Sequence, residues 1–233
     1  MQYEREVDKI MKMKLIPNAL LKYISGLLIV GLLLFLPAGS FNFSEAWLFI
    51  GLLFIPMLIL GVVLLVKSPE LLKKRLDAKE REGAQRGVVA LSALIFIGGF
   101  ILAGLDKRFN WTVMPTWATV VSSVIFLFSY VMYAEVMREN AYLSRTIQVQ
   151  EGQKVVDSGL YGIVRHPMYT VTIFLFLSIP LILGSLWSFF CFLYYPILII
   201  ARIKNEEKYL QENLEGYTEY KKKVRYRLVP FIW

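Results

Sequence analysis

Apolar residues in this chain come in long uninterrupted runs. The first covers residues 20–36 and stops at Pro37-Ala38-Gly39, and the second covers 47–66 and stops at Lys67-Ser68-Pro69. The third covers 88–105 and is ended by Asp106-Lys107-Arg108, and the fourth covers 117–137. Each has about the 17–25 residues that a helix needs to cross the hydrocarbon core of a bilayer. Helix is the form such a run must take there, because an isolated strand leaves backbone N–H and C=O groups unpaired in lipid. Trp47, Trp111 and Trp117 fall at the predicted ends, where interfacial tryptophans concentrate. A fifth apolar stretch, 169–203, is interrupted at Gly184-Ser185 and Trp187-Ser188. It predicts a hairpin of two helices, 169–183 and 188–203, each arm short for a full span, with Pro180 and Pro196 as points of kinking. The pattern as a whole predicts an all-α fold: a polytopic transmembrane helical bundle of about six helices that ends in a short C-terminal hairpin.

Polar sequence lies between these runs. Residues 1–14 alternate in charge, and the run that follows is as long as a full span and lacks a small-residue cleavage site, so it reads as a retained first helix and not as a signal peptide. Residues 70–82 (ELLKKRLDAKERE) read as a short charged helix on a solvated loop. Residues 138–168 form a polar loop and 204–227 a charged tail, and polar chemistry has to be built from these two segments. The chain divides accordingly into 1–129, about four spans with the fourth continuing to 137, and 130–233, a loop, hairpin and tail.

Composition sharpens this. The chain is 57% hydrophobic and only 19% charged, an imbalance that a soluble fold of 233 residues would have to bury on every side. A net charge of +8 raises the question of nucleic acid, but of the 26 basic residues all except Lys107 and Arg108 fall in segments on one side of the predicted membrane. The charge therefore tracks topology and gives no sign of a nucleic-acid partner. By the positive-inside rule both termini and the long loops face the cytoplasm, consistent with an even number of crossings. The single cysteine, Cys191, sits in an apolar run, and the single histidine, His166, has no Cys/His cluster around it, which argues against a zinc or iron site.

Two polar groups stand out. Pro167 biases His166 toward extended backbone and favours a helix start, so Arg165 and His166 lie at the mouth of the hairpin's first helix, whose free N–H groups suit a carboxylate. By itself, a His beside an Arg at an interface fits headgroup contact or a structural role more readily than catalysis. Arg202 and Glu206, followed by Glu207, share one helical face at the end of the second arm. By themselves they fit an interfacial ion pair, yet ionisable groups at that depth are functional candidates. The hairpin brings them beside His166. The basic tail suits anionic lipid.

The order Gln153…Gly159-x-Tyr161-x-x-x-Arg165-His166-Pro167-x-Tyr169, an apolar hairpin, Arg202-x-x-x-Glu206-Glu207, then Gly216-x-x-x-x-Tyr220-x-x-x-Val224 and Pro230 resembles the isoprenylcysteine carboxyl methyltransferase family, to which the phospholipid N-methyltransferases are related. The resemblance covers roughly residues 130–233, and the first four helices carry no matching motif. It implies an S-adenosyl-L-methionine site formed by Gln153, Lys154, Val155, Val156, Tyr161, His166, Pro167, Met168 and Tyr169, with Glu206 on the cofactor's amino group. It implies that Arg202 faces the methyl acceptor and holds its carboxylate. A glutamine within 148–150 is a further candidate. The acceptor it implies is a lipidic or prenylated small molecule or peptide, with membrane lipids as the surroundings. A carboxylate needs no general base, whereas an amine acceptor must lose a proton, for which His166 is the near-neutral candidate. Two other readings stand beside this one. One is a nicotinamide-dependent membrane reductase, since sterol reductases have a similar RHxxY-like turn and tail. The other is a non-catalytic membrane protein.

Overall fold

The computed structural model describes residues 2–77, 83–144, 146–147 and 149–233, with side chains from residue 12 onward and without those of 83 and 84. The elements are α1 (Gln2–Ala38), α2 (Ser44–Lys67), α3 (Pro69–Leu76), α4 (Gly83–Phe109), α5 (Thr116–Glu139), α6 (Pro167–Ile182), α7 (Leu186–Phe192), α8 (Tyr194–Asn213) and α9 (Tyr217–Lys223). A single 3-10 turn occupies Gly159–Gly162, and no strand occurs among the described residues. Five helical stretches are long and apolar enough to cross a membrane: Lys12–Ala38, Ser44–Lys67, Gln85–Phe109, Thr116–Glu139 and Leu186–Asn213. The shorter α6 is a sixth apolar helix. The chain is thus an integral, multi-pass membrane protein. The large apolar side chains that face outward from the spans, such as Leu32 of α1, Ile59 of α2 and Phe128 of α5, suit lipid and would be a liability in water.

The helices outrun the apolar runs that define them. α1 begins at Gln2 instead of near residue 20, because the charged segment before it is rich in residues of good helix propensity. The hairpin is present, but its second arm is not short. α7 and α8 form one nearly continuous rod from Leu186 to Asn213, because Glu, Lys, Gln and Leu after Arg202 carry the helix past the apolar layer. α6, at 16 residues, is about 24 Å long and does fall short of the hydrocarbon thickness. The turn between the arms depends on Gly184, which takes φ +73°, a left-handed conformation that glycine adopts without steric cost. The charged helix expected over 70–82 is formed from Pro69 to Leu76, and 78–82 lie outside the described residues.

α5 packs along α6, and α4 lies against α1, α7 and α8. Their interior is largely aromatic. Phe43, Phe49, Phe126 and Phe192 are fully buried, and Phe96 meets Phe176 and Phe192 edge-to-face at 4.7 and 5.1 Å. One end of the bundle gathers α3, the loop after α5 and the C-terminal tail, with Lys74 donating to the Ala141 carbonyl at 3.2 Å and Thr170 to the Leu228 carbonyl at 2.7 Å. The opposite end is closed by the buried Asp106. Its carboxylate accepts from the Ser185 hydroxyl at 2.5 Å, the Thr112 N–H at 2.7 Å and the Thr112 hydroxyl at 2.8 Å. Ser185 in turn caps α7 through the Ser188 N–H. One carboxylate therefore joins α4, the loop after it and the hairpin turn. Asp106→Ala leaves these buried donors unpaired and is expected to cost about 1–3 kcal/mol, seen as a lower melting temperature of the detergent-solubilised protein. An unchanged melting temperature would show that the far end is held by packing alone.

Candidate functional site

α6 starts at Pro167, whose missing N–H is harmless in a first turn. His166 precedes it with φ −127°. The N–H groups of Arg165 and His166 donate to the carbonyls of Tyr226 and Arg227, both at 2.9 Å, so the returning tail lies along this turn. The side chains then converge on Glu207, a carboxylate only 3% exposed. Arg165 donates to it at 2.7 Å, Arg227 at 3.0 Å, and His166 Nε2 lies 3.3 Å from the same oxygen as Arg165. Arg165 spends its remaining reach on the carbonyls of Val224 and Arg225, each at 2.7 Å. A carboxylate only accepts, so His166 Nε2 carries its proton toward Glu207, and in a neutral imidazole Nδ1 is then the acceptor. Arg165 is thereby structural, consumed inside the protein.

One residue earlier on α8, Glu206 faces a different direction, since successive helical residues are turned by about 100°. Tyr169, in the first turn of α6, accepts a hydrogen bond from Arg202 at 2.8 Å and donates one to Glu206 at 2.5 Å. Its ring stacks on His166 with centroids 5.7 Å apart. The hairpin thus brings His166, Tyr169, Arg202 and Glu206 to one place.

The loop before α6 closes over them. Gln153 folds back so that its side-chain oxygen accepts the Gln150 N–H at 2.9 Å. Val155 and Val156 then point to opposite sides, Val155 against Leu214, Tyr217, Tyr220 and Val224, and Val156 against Tyr161 and Met168. Gly159 has φ +55°, and a Cβ there would lie 1.9 Å from a Glu139 carboxylate oxygen. That carboxylate takes the Leu160 N–H at 2.9 Å, which ties the loop to the end of α5. Gln148 lies outside the described residues.

These residues surround a cavity of about 680 Å³. Gln153, Lys154, Val155, Val156, Tyr161, His166, Met168, Tyr169, Arg202 and Glu206 all line it. Pro167 does not, and its part is to start α6. From this polar end the cavity continues between the helices past Leu53, Met57 and Leu60 of α2, Phe96 of α4 and Ile199 of α8. The hydroxyl of Tyr217, on its wall, is buried without a hydrogen-bond partner among the described residues, while that of Tyr161 has the Asn140 side chain near it. Buried hydroxyls normally have a partner, so the Tyr217 hydroxyl points to a ligand. Burial pushes the phenols of Tyr161, Tyr217 and Tyr220 above their ordinary range, which keeps them neutral donors. On the protein surface Lys223 beside Asp157 holds that carboxyl below its usual value.

Lining residues not singled out from the sequence include Tyr217, Tyr133 and Arg75. Glu207 was seen only as half of a Glu-Glu doublet. The doublet was the available signal, since one of two adjacent helical carboxylates must face away from a shared site.

Fold and site together define a multi-pass helical membrane protein with a polar chamber opening into an apolar one. Residues 113–216 match the family model of the phospholipid methyltransferases. The resemblance carried by the motif order therefore holds, over less than half of the chain. Among curated proteins the chain is similar to Delta(14)-sterol reductase TM7SF2 of Mus musculus, 34% identical over 91 residues, which are 38% of this chain and 22% of that protein. It is similar to the Delta(14)-sterol reductase of Methylotuvimicrobium alcaliphilum, 26% identical over 135 residues, 52% of this chain and 32% of that protein. It is also 32% identical over 98 residues to the uncharacterized protein YpbQ of Bacillus subtilis, 42% of this chain and 58% of that one. The chain thus spans well under two thirds of each of these relatives.

Glu207→Gln leaves Arg165 buried without its counter-charge. The expected loss is about 3–5 kcal/mol of stability, read as a large drop in melting temperature, while Glu206→Gln melts close to wild type. Equal melting of all three proteins would remove Glu207 from the centre of this assembly.

Proposed function

We propose that the chain is a membrane methyltransferase that uses S-adenosylmethionine to methylate a lipidic or prenylated acceptor at a carboxylate. The observation that carries this reading is the single cavity, polar at the loop end and apolar between the helices, with Tyr169, Arg202 and Glu206 at the junction. A water-soluble cofactor and a lipidic acceptor need such a pair of chambers with one shared boundary. The phospholipid methyltransferase match over 113–216 supports the same class.

The residues fit the cofactor. The Glu206 carboxylate suits its ammonium group, and the buried hydroxyls of Tyr161 and Tyr217 offer donors for its carboxylate and sugar. Gln153, Lys154, Val155, Val156, His166, Met168 and Tyr169 complete the wall. When bound, the cofactor supplies a methyl group on a cationic sulfur for in-line displacement. The chain's own work is positioning and exclusion of water. Tyr169 holds Arg202 and Glu206 in register, so that the guanidinium orients the acceptor carboxylate while the carboxylate fixes the cofactor. His166, pinned by Glu207 and stacked on Tyr169, sets the position of that tyrosine. An amine acceptor would use His166 Nδ1 to take up its proton. In this reading residues 130–233 hold the cofactor, 1–129 supply much of the apolar wall, and the chamber end faces the cytoplasm, as the basic-residue bias requires.

The two Delta(14)-sterol reductase relatives favour a second reading: a reductase that places a nicotinamide cofactor in the same chamber. Calorimetric titration of the detergent-purified protein with S-adenosylmethionine and with NADPH separates the two. We expect S-adenosylmethionine to bind, and Glu206→Gln and Tyr217→Phe to weaken it, the former by about tenfold, equivalent to about 1.4 kcal/mol. Binding of NADPH alone would replace the methyltransferase reading with the reductase one. Binding of neither by folded protein would make the chain non-catalytic.

A further inference from the structure

α3 belongs to the part of the chain outside the family match, yet it reaches the cavity. Leu71 packs among Val136, Met137, Tyr161, Met168 and Val171, which docks α3 against the motif-bearing helices. Arg75, four residues on, shares that face and lines the cavity wall. Its guanidinium donates to the Tyr133 hydroxyl and lies 5.3 Å from the centre of that ring. Lys74 turns away to the Ala141 carbonyl. Arg75, Tyr133 and Tyr161 line the same cavity as Tyr169, Arg202 and Glu206.

Arg75 is half-buried, and its hydrogen-bond and ring partner is the phenol side chain of Tyr133. Among the described residues no carboxylate pairs with it. A partly desolvated guanidinium favours a planar anion that it can grip with two N–H groups. Below it the cavity wall is apolar, with Leu53, Met57, Leu60 and Phe96. A cation at the head of an apolar slot matches an amphiphile with one long chain and a negatively charged head.

We propose that Arg75 is a specificity-determining residue: its guanidinium binds the carboxylate or phosphate of a long-chain amphiphile in the apolar chamber, and so selects anionic over neutral acceptors. This rests on the reading of that chamber as the acceptor site. Tyr133 orients Arg75, and the selection comes from a helix of the N-terminal half.

The test is binding of radiolabelled palmitate to full-length protein in non-ionic detergent, with unlabelled hexadecyl phosphate and hexadecanol as competitors and S-adenosylmethionine titrated in parallel. In the wild type, palmitate binds and hexadecanol competes at least about tenfold more weakly than unlabelled palmitate. The competition by hexadecyl phosphate tells whether carboxylate or phosphate is preferred, and either preference supports the proposal. Arg75→Gln loses palmitate affinity by about tenfold, Arg75→Lys recovers part of it, and S-adenosylmethionine affinity is unchanged in both. Tyr133→Phe, which keeps the charge, weakens palmitate less than Arg75→Gln. Palmitate binding that is equal in wild type and Arg75→Gln overturns the proposal. So does hexadecanol competing as well as palmitate. A loss of S-adenosylmethionine affinity with palmitate unaffected also overturns it, and gives the guanidinium to the cofactor carboxylate. Arg75-dependent palmitate binding in a protein that binds no S-adenosylmethionine would keep the proposal and remove the methyltransferase reading. Melting curves accompany each variant, and if Arg75→Gln fails to fold, Arg75→Lys and Tyr133→Phe carry the comparison.

Discussion

A carboxylate withdrawn from water is strongly unfavourable unless its charge is met and its lone pairs are filled, and Glu207 is such a carboxylate. It is met by Arg165 from the turn before α6, by Arg227 from the tail and by the edge of His166. None of these partners is near it in sequence. The three segments that surround the polar chamber are therefore held by one charge cluster, and each must be in place before the others are satisfied. Arg165 extends the same logic into the backbone by filling the Val224 and Arg225 carbonyls. The tail cannot leave without exposing a buried guanidinium and two buried acceptors.

The orientation of α8 follows from this. With Glu207 turned into the cluster, Glu206 is rotated away from it and toward Tyr169. Arg202, one turn earlier, meets the same hydroxyl. A structural carboxylate and a chamber-facing carboxylate thus sit side by side, and the first fixes where the second points. Tyr169 is coupled to both sets, through its hydroxyl to α8 and through its ring to His166.

Much of the fold was legible in the sequence because lipid imposes a simple rule. A run of about twenty apolar residues must be helical, and the spans lie where the runs lie. The ends were less legible, since Glu, Lys and Leu propagate a helix beyond the apolar layer whether or not lipid requires it, as in α1 and α8. The meeting of the His166 turn with Arg202 and Glu206 could be foreseen from the hairpin alone, because both lie at its open end. Tyr169 as the link, and Glu207 as the hub, could not. Which of two adjacent carboxylates faces inward depends on the path of a tail that returns from twenty residues further along the chain. Arg75 was hidden for a different reason. On a segment reading ELLKKRL, a solvated face is the ordinary expectation, and only the docking of Leu71 beneath Tyr161 turns that helix toward the cavity.

The family match stops short of the first four helices, and this bears on how far it can speak for the chemistry. Residues 113–216 include the loop before α6, His166, Tyr169, Arg202 and Glu206. They do not include Leu53, Met57, Leu60, Arg75 or Phe96, which line the other chamber. The apolar wall is thus shared between helices inside the match, as with Ile199 of α8, and helices outside it, and Tyr169 with Arg202 and Glu206 marks where it meets the polar end. In the reading proposed above, the acceptor's chain would lie against Leu53, Met57, Leu60 and Phe96, so helices outside the family match, together with α8, would shape its selection.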